Sequence, residues 1–308
     1  DGYSTPQVMA FAIELYENGI LSSSEMPAFP DTPAERFLWL LDKIVHKEGI
    51  GDVLAKGVSA AAKEIGRGAE AFDHNTIKKH EQAPIKLGML NPIYFLLWAT
   101  GEKANITQVQ GQIPQAPLEP KELREEFVKD FVQIPTGKEE RFKKFILEWG
   151  DPDKNFPFWP PVDLMCEIVE WQELMHYVDD MLGLCAGLSS FQYKPPYHVH
   201  NIPRLISACF GTQIGEVDLW TAAERVRNLI RAFNIARGLR RSDDQPPQDH
   251  WKKRFPEFEQ DLLTAYYTYK GWSKDGIPTV EKLNQLGLHS VSEVLQKYGL
   301  ARKLEETL

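Results

Sequence analysis

The chain has 308 residues and 43% apolar content, enough for one large or two ordinary domains around a sizeable core. Its 35 Lys and Arg stand against 44 Asp and Glu with the signs interspersed, a formal net charge of -9, and this argues against nucleic acid as a partner because phosphate affinity comes from clustered cations. Three cysteines, Cys166, Cys185 and Cys209, are too few and too widely spaced for a disulfide framework, so a reducing, cytoplasmic setting is expected.

The most apolar patch, "YFLLWA" from Tyr94 to Ala99, is far short of a membrane span. No charged-then-apolar leader precedes the first element, and the chain starts abruptly inside one. "STPQVMAFAIELYENGIL" reads as a helix with Thr5 as N-cap, Pro6 at N1 and Gly19 as the stop; Val8, Phe11, Ala12 and Leu15 share a face. A second amphipathic helix is expected around Glu35 to Val45, and "GIGDVLAKGVSAAAKEIG" reads as a third between glycine boundaries.

From His74 to Gln115 the pattern is less regular and reads as a core element followed by a lining loop, where Pro114, Pro117 and Pro120 oppose a long helix. Helix is expected again over Lys121 to Phe131 and Lys138 to Trp149. The stretch "GDPDKNFPFWPP", with four prolines, divides the chain into helical domains 1–150 and 151–308. Asp163 to Asp179 is a strong helix with Leu164, Ile168, Trp171 and Met175 on one face. Asp218 to Arg240 follows, capped by Asp218, and then Glu257 to Lys270 and a short terminal helix. The predicted class is mainly α.

The most specific local arrangement is "DMLGLC", with Asp180, Gly183, Leu184 and Cys185 at the end of a helix. Such a turn can direct the Asp180 carboxylate and nearby backbone N–H groups toward a polar cofactor, and Gly183 permits close backbone approach. Cys185 can be a buried packing residue, a reactive thiol, or a thiolate ligand to a soft metal or iron–sulfur cluster; this chain alone cannot supply four cysteines. His176, four positions before Asp180, either pairs with it or is a satisfied buried imidazole.

Other candidates are weaker in spacing. His198 and His200 lie two apart in a proline-rich loop with Lys194 nearby, a pattern that suits metal or anion contact and equally suits solvent. In "HNTIKKHEQAP", His80 and Glu81 can share a proton path, and Lys78 and Lys79 can meet a phosphate; a solvated polar face that also holds His74 is the alternative. Asn105, Thr107, Gln108, Gln110 and Gln112 form an amide-rich run able to complement a heterocycle. The arginines from Arg225 to Arg241 suit subunit or internal ion pairs. No phosphate loop, dinucleotide turn, nucleophile elbow or HExxH helix is present.

Taken together, "DGYSTPQVMAFAIELYENGIL", "EGIGDVLAKGVSAAAKEIG", "DMLGLC", "AERVRNLIRAFNIARGLRRSDDQPP" and "YYTYKGWSKDGIPTVEKLNQLGL" occur in an order that resembles the tungsten-containing aldehyde ferredoxin oxidoreductase family across most of the chain. The segments "IKKHEQAP", "MLNPIYFLLWATGEKANITQVQGQIPQAP" and "GLSSFQYKPPYHVHN" are most similar to its ATP-independent aromatic acyl-CoA (benzoyl-CoA) reductase branch.

The resemblance implies the helical C-terminal half of a larger protein, lacking an upstream β-rich domain that shares in holding a tungsten bis-pterin (tungstopterin) cofactor. It implies that Cys185 is one ligand of a [4Fe–4S] cluster whose other three lie upstream. Asp180, Gly183 and Leu184 would form the pterin-binding DxxGLC turn, and Asp1 would end a related upstream motif. Thr107 stands near the position where aldehyde-oxidizing relatives carry a histidine. That departure favours reduction of benzoyl-CoA or a related aromatic acyl-CoA to a cyclic dienoyl-CoA. An aldehyde oxidoreductase and a non-catalytic helical assembly subunit are the alternatives. The implied partners are the missing cofactor domain and an iron–sulfur electron-transfer subunit in a hetero-oligomer.

Overall fold

A computed structural model of the protein describes residues 2–81, 92–102, 118–130, 139–149, 160–184, 201–245 and 256–301. Among them the fold is helical, as expected, with one two-stranded antiparallel hairpin. The helices, in chain order, are α1 (Ser4–Glu17), α2 (Pro33–His46), α3 (Ile50–Leu54), α4 (Val58–Ile65) and α5 (Pro92–Thr100). These are followed by α6 (Lys121–Asp130), α7 (Glu139–Glu148), α8 (Val162–Leu182), α9 (Ile202–Phe210), α10 (Glu216–Ala236), α11 (Pro256–Tyr269), α12 (Val280–Gln285) and α13 (His289–Lys297). The strands are β1 (Thr76–Ile77) and β2 (His80–Glu81).

The chain forms two compact units, one made of Asp1–Lys86, Ala104–Ile106 and Asp243–Phe255, the other of Leu87–Lys103, Thr107–Ser242 and Pro256–Leu308. This division differs from the expected 1–150 and 151–308. The physical reason is α5, which lies before the proline-rich stretch in sequence yet packs on α8 and α11.

In the first unit, α1 buries Val8, Met9, Phe11, Ala12 and Leu15 against Leu40, Leu54, Ala61 and Ala62, so the predicted stripe is the core face. The helix begins at Ser4, ahead of the expected Thr5 cap, and Gly19 follows its end at φ +72. Thr32 caps α2, its Oγ1 accepting from the Glu35 N–H and donating to the Glu35 carboxylate. The expected third helix breaks into α3 and α4 at Gly57, whose φ is +90. A Cβ there would sit 2.9 Å from the Glu81 carboxylate, so glycine is required by conformation and by space.

The second unit is built on α8, which packs against α5, α10 and α11. The sequence pattern shows one apolar face, but from Leu164 to Asp179 nearly the whole circumference is buried, including Gln172, Glu173, His176 and Asp179. A helix buried all round must satisfy its polar side chains internally. Helix α10 starts two residues earlier than predicted: Asp218 sits in the first turn and reaches back to accept from the Gly215 N–H. Helix α9 and the hairpin were not expected from the pattern.

Glu259 on α11 is 2% exposed, and among the described residues neither carboxylate oxygen has a hydrogen-bond partner. Burial pushes its pKa from 4.5 up to about 8. Between those values the folded chain holds a proton that the unfolded chain has lost, so stability falls as pH rises from about 4.5 to about 8. Glu259→Gln is therefore expected to stabilise the protein at pH 8 by on the order of a few kcal/mol and to be nearly neutral near pH 4. Thermal melts of both proteins across that range check it; an equal shift at both ends would contradict the assignment.

Candidate functional site

Helix α8 ends as the DMLGLC pattern requires. Gly183 takes the left-handed conformation, φ 66 and ψ 27, where a Cβ would be strained. The Leu184 N–H donates to the Asp179 carbonyl at 2.9 Å and the Gly183 N–H to the Asp180 carbonyl at 3.3 Å. These two N–H groups therefore close the helix. The two aspartates divide: Asp179 is 2% exposed and Asp180 faces solvent. No described atom lies within 4 Å of a Cβ built on Gly183.

His176 is buried, and its Nε2 lies 2.9 Å from the Gln172 amide nitrogen. As oriented, that amide donates to Nε2 and assigns the ring proton to Nδ1. This is the satisfied buried imidazole of the sequence reading. Cys166, earlier on α8, is 1% exposed, and burial, with Asp163, Glu170 and Glu167 nearby, pushes its thiol up to about 12. It is a packing residue. Asp1, Lys194, His198, His200, the amide-rich run 105–112 and Cys185 itself lie outside the described residues. Among the described residues no group of three His, Cys, Asp or Glu could hold a metal ion.

The hairpin stretch resolves differently from expectation. Consecutive strand side chains point to opposite faces, so His80 is exposed while Glu81 is buried, which argues against a proton path shared directly between them. Glu81 accepts from the Val58 N–H at 2.6 Å and so caps α4 from 23 residues away. No local signal marks a cap supplied from such a distance. Lys78 pairs with the fully buried Asp244 at 3.0 Å, so its ammonium is not offered to a phosphate. His74 pairs with Glu14 at 3.1 Å. Beside them is a cavity of about 210 Å³ walled by Phe11, Val58 and Phe72, where burial raises the Asp73 carboxyl.

The most concentrated electrostatics surround α8. Arg227 on α10 donates to Glu102 at 2.7 Å, to the Thr100 carbonyl at 2.9 Å and to Glu173 at 3.0 Å. Arg231 donates to Glu102 at 3.2 Å and to the Gly276 carbonyl at 2.8 Å, and Asn234 donates to Glu102 at 2.6 Å. Both guanidinium groups lie over the Trp272 ring, 4.9 and 4.8 Å from its centre. Tyr266 hydrogen-bonds Glu173, and Lys270 pairs with Glu170 at 3.1 Å. Burial opposes the Arg227 charge, but Glu173 and Glu102 outweigh it and hold the group well above its ordinary pKa. Burial and Glu173 likewise push Tyr266 well above its ordinary value. Internal pairing thus accounts for Arg227 and Arg231; its three-dimensional partners were not legible in the sequence.

Comparison with known proteins places these features in a family. The aldehyde ferredoxin oxidoreductase family, domains 2 and 3, matches residues 1–288. The tungsten-containing aldehyde ferredoxin oxidoreductase of Pyrococcus furiosus is 27% identical over 305 residues, covering 94% of this chain and 43% of the relative. A WOR-like subunit of an aliphatic sulfonate oxidoreductase from the same organism is 42% identical over 66 residues, 21% of this chain and 11% of its own length. Among solved structures, a chain of the active-site complex BamBC of benzoyl coenzyme A reductase, in complex with 1,5-dienoyl-CoA, is 57% identical with a TM-score of 0.90, covering 97% of this chain and 46% of that one. The chain thus spans less than half the length of the aldehyde enzyme and of the reductase chain. With the family's domains 2 and 3 matched over nearly its full length, the chain belongs to the aldehyde ferredoxin oxidoreductase family.

Proposed function

We propose that this chain is the helical part of a tungstopterin, iron–sulfur oxidoreductase that reduces benzoyl-CoA or a related aromatic acyl-CoA to a cyclic dienoyl-CoA. The carrying observation is the contrast in likeness: 57% identity over 97% of the chain to a benzoyl-CoA reductase component, against 27% to an aldehyde enzyme. In this reading the partners are an upstream cofactor domain and an iron–sulfur electron-transfer subunit, in a cytoplasmic hetero-oligomer. No helix among the described residues is long and apolar enough to cross a membrane.

The turn at the end of α8 suits a polar cofactor. Asp180 presents an exposed carboxylate that can accept from the pterin's ring N–H groups, and the left-handed Gly183 and Leu184 set its direction. Asp1 and Cys185 complete the proposed set, the latter as a thiolate ligand of a [4Fe–4S] cluster. When bound, the tungstopterin and the cluster supply low-potential electrons, two of which with two protons convert the aromatic ring to a diene. Buried α8 holds the turn rigidly, and close packing around it keeps water from one side of the site.

Aldehyde oxidation is the second reading, favoured by the aldehyde enzymes among the matched relatives. The native assembly, purified without oxygen, tests both. Tungsten, pterin and labile sulfide are expected in it, together with reductive turnover of benzoyl-CoA and weak or absent turnover of an aldehyde panel. Turnover of aldehydes alone would replace the first reading with the second.

A further inference from the structure

We propose that the outward row of α10, Val226, Leu229, Phe233 and Ala236, docks the iron–sulfur electron-transfer subunit, and that this subunit meets it with an apolar ridge rimmed by carboxylates. This rests on the reading above that such a subunit belongs to the assembly.

Helix α10 is built inside out. Val226, Leu229, Phe233 and Ala236 recur at i, i+3, i+7 and i+10, the spacing of a face that ordinarily turns to the core. Here Arg227, Asn228 and Arg231 take the inside, while Leu229 is 44% and Phe233 58% exposed, with Ala236 exposed beside them. The inner face is satisfied by Glu102, Glu173 and Trp272, so the apolar row is left to the outside. Helix α13, which shares a small core with α10 through Leu295 and Ala232, exposes Val294 and Tyr298 as well. An exposed apolar face of this kind marks a docking surface.

Charge selects the occupant. The chain as a whole carries a net charge of -9, yet from 225 to 242 it has six arginines and no Asp or Glu. Arg225, Arg237 and Arg240 lie on the outside. Arg237 sits over the Phe233 ring, 5.5 Å from its centre, and Arg240 donates to the Ile235 and Leu239 carbonyls at the end of the helix. An apolar centre with a cationic rim fits a partner with an acidic rim. A second copy of the chain would set the same arginines against each other across a two-fold axis, so like charges oppose that occupant. Position agrees with charge. The inner face of α10 joins α8 through Arg227 and Glu173, and α8 ends three residues before Cys185. Packed helices lie about 8–10 Å apart, so a subunit on the outer face stands one helix away from the helix that leads to the proposed cluster ligand.

The experiment uses the native assembly, purified without oxygen, and native mass spectrometry over a dilution series to obtain the Kd of the iron–sulfur subunit. Phe233→Glu is expected to raise that Kd about a hundredfold, and Arg237→Glu about tenfold with a smaller effect at high salt. Leu38→Glu on α2, at a position 67% exposed, is the control and should leave Kd within about twofold. Turnover with a small redox dye in place of the subunit is expected to match wild type in all three, showing that fold and site are intact. An unchanged Kd in Phe233→Glu and Arg237→Glu overturns the proposal. Lost dye-coupled turnover with the iron–sulfur subunit still bound would give the row to the upstream cofactor domain, and lost self-association with that subunit still bound would give it to a second copy; either overturns the proposal. A wild-type assembly that contains no iron–sulfur subunit removes the partner reading itself, and the docking proposal falls with it.

Discussion

Arg227→Met is expected to destabilise the helical unit around α8 by about 3–5 kcal/mol, the range for removing one partner from a buried ionic network. The reasoning is local. Three cations, Arg227, Arg231 and Lys270, face three carboxylates, Glu102, Glu170 and Glu173, and the cationic side chains are 0% exposed. Without Arg227, Glu173 keeps Tyr266 and a Lys270 ammonium 3.8 Å away, while Glu102 keeps Arg231 and Asn234. Two partly compensated carboxylates and an unpaired Thr100 carbonyl would then share a site that water reaches poorly. Methionine replaces much of the volume over Trp272, so the loss reports charge and hydrogen bonding more than packing. Urea unfolding of the native assembly and of the variant measures it. A change below about 1 kcal/mol would mean that the carboxylates are already neutral or solvated.

The second large effect is on activity. Under the proposed function, Cys185→Ser should remove the iron–sulfur cluster and lower turnover by on the order of a thousandfold or more, because a serine hydroxyl is a hard, high-pKa group that replaces a thiolate ligand poorly. The three cysteines make an internal comparison. Cys166, buried and with its thiol pushed up to about 12, and Cys209, exposed on α9, are expected to tolerate serine or alanine with iron and labile sulfide retained. Iron analysis and low-temperature electron paramagnetic resonance on the three variants read the outcome. A full cluster signal in Cys185→Ser would remove the cysteine from the ligand set and, with it, the electron route.

Much of the fold is written in local signals. The stripe of α1 and the glycine at the end of α8 each depend on residues within a few positions, and these are legible from spacing alone. What the spacing hides is distance in sequence. Glu81 caps a helix 23 residues earlier, Lys78 finds its anion at Asp244, and Arg227 meets Glu102 across 125 residues. For the same reason the arginines of α10 suggest ion pairs without naming their partners. The DMLGLC turn was visible because its parts are contiguous. The direction of its N–H groups was not, since helix closure claims them first.

The burial of α8 on every side has a consequence for how this family can vary. A helix with one solvent face can absorb an inserted residue by letting the mismatch emerge into water. One enclosed on all sides has nowhere to discard it. Each added position would rotate the remainder by about 100° and advance it about 1.5 Å. The Asp179 carboxylate would then leave its buried place for the solvent-facing position that Asp180 holds, and Asp180 would be carried off that position. The length between Glu173 and Gly183 is thus a fixed measure in the protein, and lineages can change what surrounds it more readily than they can change that interval.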